Sequence, residues 1–166
     1  KRQALFLASN GFPKLTTTLA TLIGGTLAAG SANAFNMAIE SESDKLMSRT
    51  AKRPISSGRI SSKNAYIFAT VTSLIALSIF QIFTTDLATL LSGFAILFYV
   101  VGYTLLLKKN TSQNIVWGGI AGCMPVLIGQ AAVTNSLTLT SWLFFFVVFF
   151  WTPPHFWALA VKYRDQ

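Results

Sequence analysis

The chain has 166 residues, of which 52% are hydrophobic and only 11% charged, with a mean hydropathy of +0.55. That is too apolar for a water-soluble domain of this size, so the expected solvent is a lipid bilayer. The formal net charge is +8, but the basic residues occupy short stretches between hydrophobic runs, a pattern of membrane topology that argues against a nucleic-acid-binding surface.

The chain opens with Lys1-Arg2-Gln3 and a short apolar run that ends at Ser9-Asn10-Gly11-Phe12-Pro13. This run is too short to cross a bilayer and lacks a signal-peptide cleavage pattern, so it reads as the tail of a helix begun upstream. No charged residue falls between Lys14 and Glu40, Lys63 and Asp86, Asp86 and Lys108, or Lys109 and Lys162. Those gaps predict five transmembrane helices, near residues 15–39, 65–83, 87–107, 115–133 and 142–161. The expected fold class is all-α, a multi-pass transmembrane helical bundle forming one domain over residues 1–166, incomplete and truncated at both ends. The first helix carries Gly24, Gly25, Ala28, Ala29, Gly30, Ser31 and Ala32, small residues that let neighbouring helices approach closely. Six Lys and Arg residues lie between Lys45 and Lys63, with Pro54 and Gly58 as breakers, and predict a loop. The positive-inside rule places that loop in the cytoplasm, together with Lys108-Lys109 and the C-terminal Lys162 and Arg164. Cys123 is the single cysteine and, among apolar neighbours, reads as a packing residue.

Charged chemistry concentrates just after the first helix, where Glu40, Glu42 and Asp44 are three of the five acidic residues in the chain. Asn36, Glu40 and Asp44 follow each other at four-residue steps, so on a helix they share one face, and Arg49 and Arg53 repeat the step just beyond. Oxygen donors at the mouth of a membrane helix can hold a divalent cation, and the cations beyond can grip an anionic group carried by that metal. The plainer alternative is a solvated helix end followed by a topology signal. Carboxylates directly after a long apolar span are uncommon without a partner, which favours the site. Lys108, Lys109, Thr111 and Asn114 form a second polar group that reads equally well as a plain cytoplasmic turn. His155 is the only histidine and follows Trp151-Thr152-Pro153-Pro154. The prolines free backbone carbonyls, and the imidazole either bonds to one of these or meets a planar cofactor. The aromatic runs Phe144 to Phe146 and Phe149 to Trp151 suit a lipid-facing surface as readily as a ligand wall.

Taken together, these motifs resemble the UbiA-type superfamily of intramembrane prenyltransferases, over nearly the whole chain. Asn36, Glu40, Asp44, Met47, Arg49-Thr50, Arg53-Pro54 and Gly58-Arg59-Ile60-Ser61 resemble its first acid-rich motif. Tyr103-Thr104, Lys108-Lys109, Thr111, Asn114-Ile115-Val116, Gly118-Gly119 and Pro125-Val126-Leu127-Ile128-Gly129 resemble its middle signature. The segment from Trp151 through His155 to Ala160 resembles the one that sets the haem-prenylating branch apart from the quinone, chlorophyll and archaeal-lipid branches.

The resemblance implies transfer of a farnesyl group from farnesyl diphosphate to a vinyl group of haem b (protohaem IX). The products would be haem o, for haem-copper oxidase assembly, and diphosphate. The setting implied is a bacterial inner membrane, or alternatively a mitochondrial inner membrane. Carried over residue by residue, the resemblance makes Asn36, Glu40 and Asp44 the catalytic Mg²⁺ ligands. It makes Arg49, Arg53, Lys108 and Lys109 diphosphate contacts and His155 a haem contact. Two departures stand out. Glu40 occupies a position where many relatives carry aspartate, and the sequence ends at Arg164-Asp165-Gln166, where a second acid-rich motif would begin. The expectation is therefore that this stretch alone is inactive. Two alternatives have discriminating features. A UbiA-type enzyme with a quinone-precursor or chlorophyllide acceptor is disfavoured by the Trp151 to His155 segment. A membrane transporter would place its acids at mid-membrane, whereas these stand at a helix end beside a basic loop.

Overall fold

In the computed structural model of the protein, residues 12–41, 45, 46, 52–107 and 114–162 are described, and all their regular structure is helical. Helix α1 is Leu15–Ile39, α2 is Ser62–Phe83 and α3 is Asp86–Leu97, which continues as a π-helix over Phe98–Leu107. Helices α4 and α5 are Asn114–Thr134 and Leu139–Lys162. Among the described residues, Ser62–Phe83 and Val116–Thr134 are long and apolar enough to cross a membrane.

Local chemistry sets where the helices begin and end. Ser61 caps α2 by accepting the Asn64 N–H at 3.3 Å, so the polar residues Ser62 to Asn64 join the helix. Thr85 caps α3 in the same way, accepting the Ala88 N–H at 3.2 Å. Helix α1 closes at Glu40, whose N–H donates to the Asn36 carbonyl at 2.9 Å. Hydroxyls inside the helices turn back on their own backbone, as Thr21 does to Thr17 and Thr72 to Phe68, each at 2.7 Å. This satisfies their donors where no water is available.

The most extensive packing is α1 against α2, with α4 against α5 next. Gly24 permits the first of these, because a Cβ there would stand 3.0 Å from Phe80 Cε2. Phe80 is fully buried and clusters with Ala88, Ala131 and Ala132. A second cluster joins Cys123, Met124, Leu127 and Phe145, and Cys123 is a buried packing residue, as its apolar neighbours suggest. One end of the bundle is tied by the α2–α3 turn, where Thr85 Oγ1 donates to the Ala131 carbonyl at 2.6 Å. There Leu87 N–H also donates to Asn135 Oδ1 at 3.3 Å. Because successive helices reverse direction, the ends of α1, of the π-helix and of α5 collect at the other end of the bundle.

One local feature differs from expectation. The helix expected over 87–107 is α-wound only to Leu97 and π-wound beyond. Gly102 lies within the wide-wound part, and a Cβ there would come within 3.3 Å of Phe98 Cδ2. Arg53 stands in the loop that the breakers Pro54 and Gly58 predict. It lies in a turn-rich segment in which Ser57 N–H donates to the Arg53 carbonyl at 2.8 Å. Pro54 cannot sit in a helix interior, and Gly58 adopts a φ of 76° that favours glycine.

Candidate functional site

A cavity of about 370 Å³ opens between α1, α3 and α4. Helix α1 lines it with Gly25, Ala28, Ala29, Ala32 and Asn33. Ser92, Ala95 and Ile96 come from α3, and Tyr99 comes from its π-helical continuation. Helix α4 adds Gly118, Ala121, Gly122, Met124, Pro125 and Ile128. Small residues on two facing helices leave the space unfilled, and its walls are mostly apolar. Pro125 has no N–H to give to the carbonyl of Ala121, so the α4 wall carries an interruption of the helical ladder at the cavity.

The cavity face of α1 continues into the acid-rich motif. Asn36 follows Ala32 and Asn33 by four and three residues and Glu40 follows Asn36 by four, so all lie on one side of the helix end. Asn36 is 8% exposed and Glu40 9%. Thr104, fully buried on the π-helix, places its Oγ1 3.1 Å from Asn36 Oδ1. The same hydroxyl lies 2.9 Å from the Tyr99 carbonyl oxygen.

An amide oxygen and a carboxylate on successive turns are hard donors. They suit Mg²⁺, which usually takes one or two protein ligands and completes its shell with water and substrate phosphates. The donor set therefore fits that ion, although among the described residues no three of His, Cys, Asp and Glu come together. Asp44, the third expected ligand, lies outside the described residues, as do Arg49, Lys108 and Lys109.

Arg53 is half-buried on its loop. Ile55, two residues on, packs with Ala38 of α1 and Ala65 of α2, which seats the loop against the last turns of α1. His155 is exposed on α5, its ring stacked on Trp151 with centroids 4.4 Å apart and planes at 17°. Helix α5 packs mainly on α4, and His155 is not among the cavity-lining residues. The structure thus brings Asn36 and Glu40 together and leaves His155 on another helix. It also adds Thr104, Asn33 and Tyr99, which sequence reasoning did not single out as site residues. For Asn33 a signal existed, since it lies three residues before Asn36 on the same helix. For Thr104 the signal was its place in the middle signature as Tyr103-Thr104, while its meeting with Asn36 depends on the π-helical winding.

The architecture is that of a membrane-type helical bundle, with an apolar cavity that runs along α1 into the buried oxygen donors Asn36 and Glu40. Residues 3–166 match the UbiA prenyltransferase family, and the chain belongs to that family, whose fold is an all-α multi-pass membrane bundle. The chain is 50% identical over 162 residues to a protein named protoheme IX farnesyltransferase from Leifsonia xyli subsp. xyli, covering 98% of this chain and 53% of that protein. It is 51% identical over 163 residues to protoheme IX farnesyltransferase 1 of Saccharopolyspora erythraea, covering 98% and 52%. With the protoheme IX farnesyltransferase of Streptomyces coelicolor the identity is 48% over 162 residues, covering 98% and 51%. The chain thus spans about half the length of the curated relatives it matches. No solved structure gives a significant match.

Proposed function

We propose that the protein transfers a farnesyl group from farnesyl diphosphate to a vinyl group of haem b, giving haem o and diphosphate, and that this chain carries the first metal-and-diphosphate end of the site. The observation that supports this most is the single face of α1 on which cavity-lining Ala29, Ala32 and Asn33 give way to buried Asn36 and Glu40. Such a face suits a molecule with an apolar tail and a multiply charged head. Relatives about half identical to the chain and named protoheme IX farnesyltransferases support haem as the acceptor.

In the reaction, the bond between farnesyl C1 and the diphosphate oxygen breaks and its electron pair leaves with diphosphate. The vinyl π pair of haem forms the new carbon–carbon bond, and water adds to the resulting cation and loses a proton. Asn36, Glu40 and Asp44 would hold Mg²⁺, which would supply positive charge to the departing diphosphate. Arg53, with Arg49, Lys108 and Lys109, binds the remaining phosphate oxygens, a task suited to the forked guanidinium. The small apolar residues of α1 and α4 hold the prenyl chain and keep water from the allylic carbon. His155, oriented by its stack on Trp151, contacts the porphyrin. The bacterial relatives favour a bacterial inner membrane, and the basic residues that follow α1 argue for the motif end at its cytoplasmic face.

The test is to incubate membranes bearing the full-length protein with haem b, farnesyl diphosphate and Mg²⁺ and to search by mass spectrometry for hydroxyethylfarnesyl haem. A metal-dependent product is expected. Unchanged haem b alongside prenylation of another acceptor would overturn the haem assignment and keep the metal end.

A further inference from the structure

The hydroxyl of Thr104 stands between two carbonyl-type oxygens, Asn36 Oδ1 at 3.1 Å and the Tyr99 carbonyl at 2.9 Å. A hydroxyl has one hydrogen and can donate to only one of them. The other pair then meets lone pair to lone pair, around a threonine with no exposed surface. Among the described residues the Asn36 side chain has no other hydrogen bond, so its amide nitrogen has no partner there. A half-turn of the amide exchanges its oxygen and nitrogen with almost no displacement of heavy atoms. Asn36 Nδ2–H then donates to Thr104 Oγ1, and Thr104 O–H donates to the Tyr99 carbonyl. Every contact is satisfied in one direction, and Oδ1 is released on the side of the amide away from Thr104.

The winding of the backbone is what brings Thr104 to this place. Thr21, Thr72 and Thr152, on α-helices, reach back four residues to a carbonyl, whereas Thr104 reaches back five to Tyr99. The π-helix Phe98–Leu107 contains both residues. Wide winding of this kind recurs at functional sites. We propose that Thr104 is a positioning residue, which holds the Asn36 amide with its oxygen free for the divalent cation. This inference rests on the metal end proposed above and adds a partner on a second helix, by the logic that makes the support of a metal ligand nearly as important as the ligand.

Thr104→Val keeps the shape and removes the hydroxyl, while Thr104→Ser keeps the hydroxyl. In the full-length protein, Mn²⁺ binding followed by electron paramagnetic resonance should weaken about tenfold in Thr104→Val, within the range for loss of a ligand's support, and change less than about twofold in Thr104→Ser. Half-saturation of turnover by Mg²⁺ should shift in parallel, with the rate at saturating Mg²⁺ largely retained. In wild type, one Asn36 side-chain amide proton should be protected from exchange in a ¹⁵N-asparagine spectrum, a readout that needs no variant. Wild-type Mn²⁺ affinity in Thr104→Val, an equal loss in Thr104→Ser, or an unprotected Asn36 amide in wild type would each overturn the positioning role alone. Failure of the wild-type protein to bind Mn²⁺ would remove the metal end itself, and this role with it.

Discussion

Replacing Gly24 with alanine tests the closest approach in the bundle. The added Cβ would lie 3.0 Å from Phe80 Cε2, 3.2 Å from Cδ2 and 3.5 Å from the Ala76 carbonyl oxygen. The ring cannot shift alone, because Phe80 is fully buried in a cluster with Ala88, Ala131 and Ala132, with Leu87, Leu91 and Ile128 packed against it. Overpacking of this kind costs ~1–3 kcal/mol. Exchanging a helix-interior glycine for alanine returns about 1 kcal/mol of propensity, so the net loss expected is up to about 2 kcal/mol. Gly30, on the same helix, is the internal control: a Cβ there meets nothing within 4 Å among the described residues, so Gly30→Ala should keep the propensity gain. The assay is reversible unfolding in mixed micelles, with Phe80→Leu added to open space for the new methyl. Coupling between Gly24→Ala and Phe80→Leu should be favourable, with the double variant more stable than the sum of the single effects predicts. Additive behaviour, together with a gain for Gly24→Ala equal to that of Gly30→Ala, would refute the close-contact account.

Three further outcomes are expected. Glu40→Gln should lower turnover on the order of 100-fold or more, as loss of a charge-stabilising group does, with Glu40→Asp retaining more activity; wild-type activity in the Gln variant would exclude a ligand role. His155→Ala should weaken haem b binding, followed by absorbance titration, by roughly tenfold, or about 1.4 kcal/mol, with little effect on farnesyl diphosphate. Equal loss of both substrates would make His155 structural. Thr85→Ala removes both the α3 cap and the bond to Ala131, for roughly 1 kcal/mol each in thermal or denaturant unfolding. Thr85→Ser should recover most of that, and a serine variant as unstable as the alanine one would show that the methyl, not the hydroxyl, matters.

The helical architecture was legible because charge is expensive in lipid, so the charge-free gaps after Lys14, Lys63, Asp86 and Lys109 mark the stretches that must satisfy their own backbone. Asn36 and Glu40 were legible as neighbours because a four-residue step survives to the last turn of α1. At Arg53 it was the loop that was legible, because Pro54 and Gly58 set the backbone there and helical spacing has no meaning. The change of winding at Phe98 was not legible at all. The stretch from Leu87 to Leu107 carries no charge and only scattered polar residues, so hydrophobic periodicity cannot distinguish α from π registers. The hydroxyl of Thr104 and the missing Cβ of Gly102 mark the wider turn only after the contacts to Tyr99 and Phe98 are seen. The cavity was hidden for a different reason. Gly25, Ala28 and Ala29 permit close helix packing and an unfilled space equally well, and the choice depends on which helix stands opposite.

The proposed site divides its work between two kinds of backbone. Asn36 and Glu40 stand at the end of a helix locked to α2 through Gly24 and Phe80, and Asn36 meets Thr104 across to a second helix. The Asn36 amide is held in this way before any substrate arrives, so less ordering would be left there when a cation binds. Arg53 sits on a loop attached to the bundle through Ile55. A cation on such a segment stands beside the last turns of α1, where charge would develop on a diphosphate as the C–O bond breaks. This arrangement suits the two demands of the chemistry: fixed geometry where a hard ion must find its ligands, and positive charge close to where a leaving group departs. It also explains why a wide-wound segment belongs at this end of the bundle. Changing the register of one helix turns a single hydroxyl toward a neighbouring helix without placing another charged group in the apolar cavity.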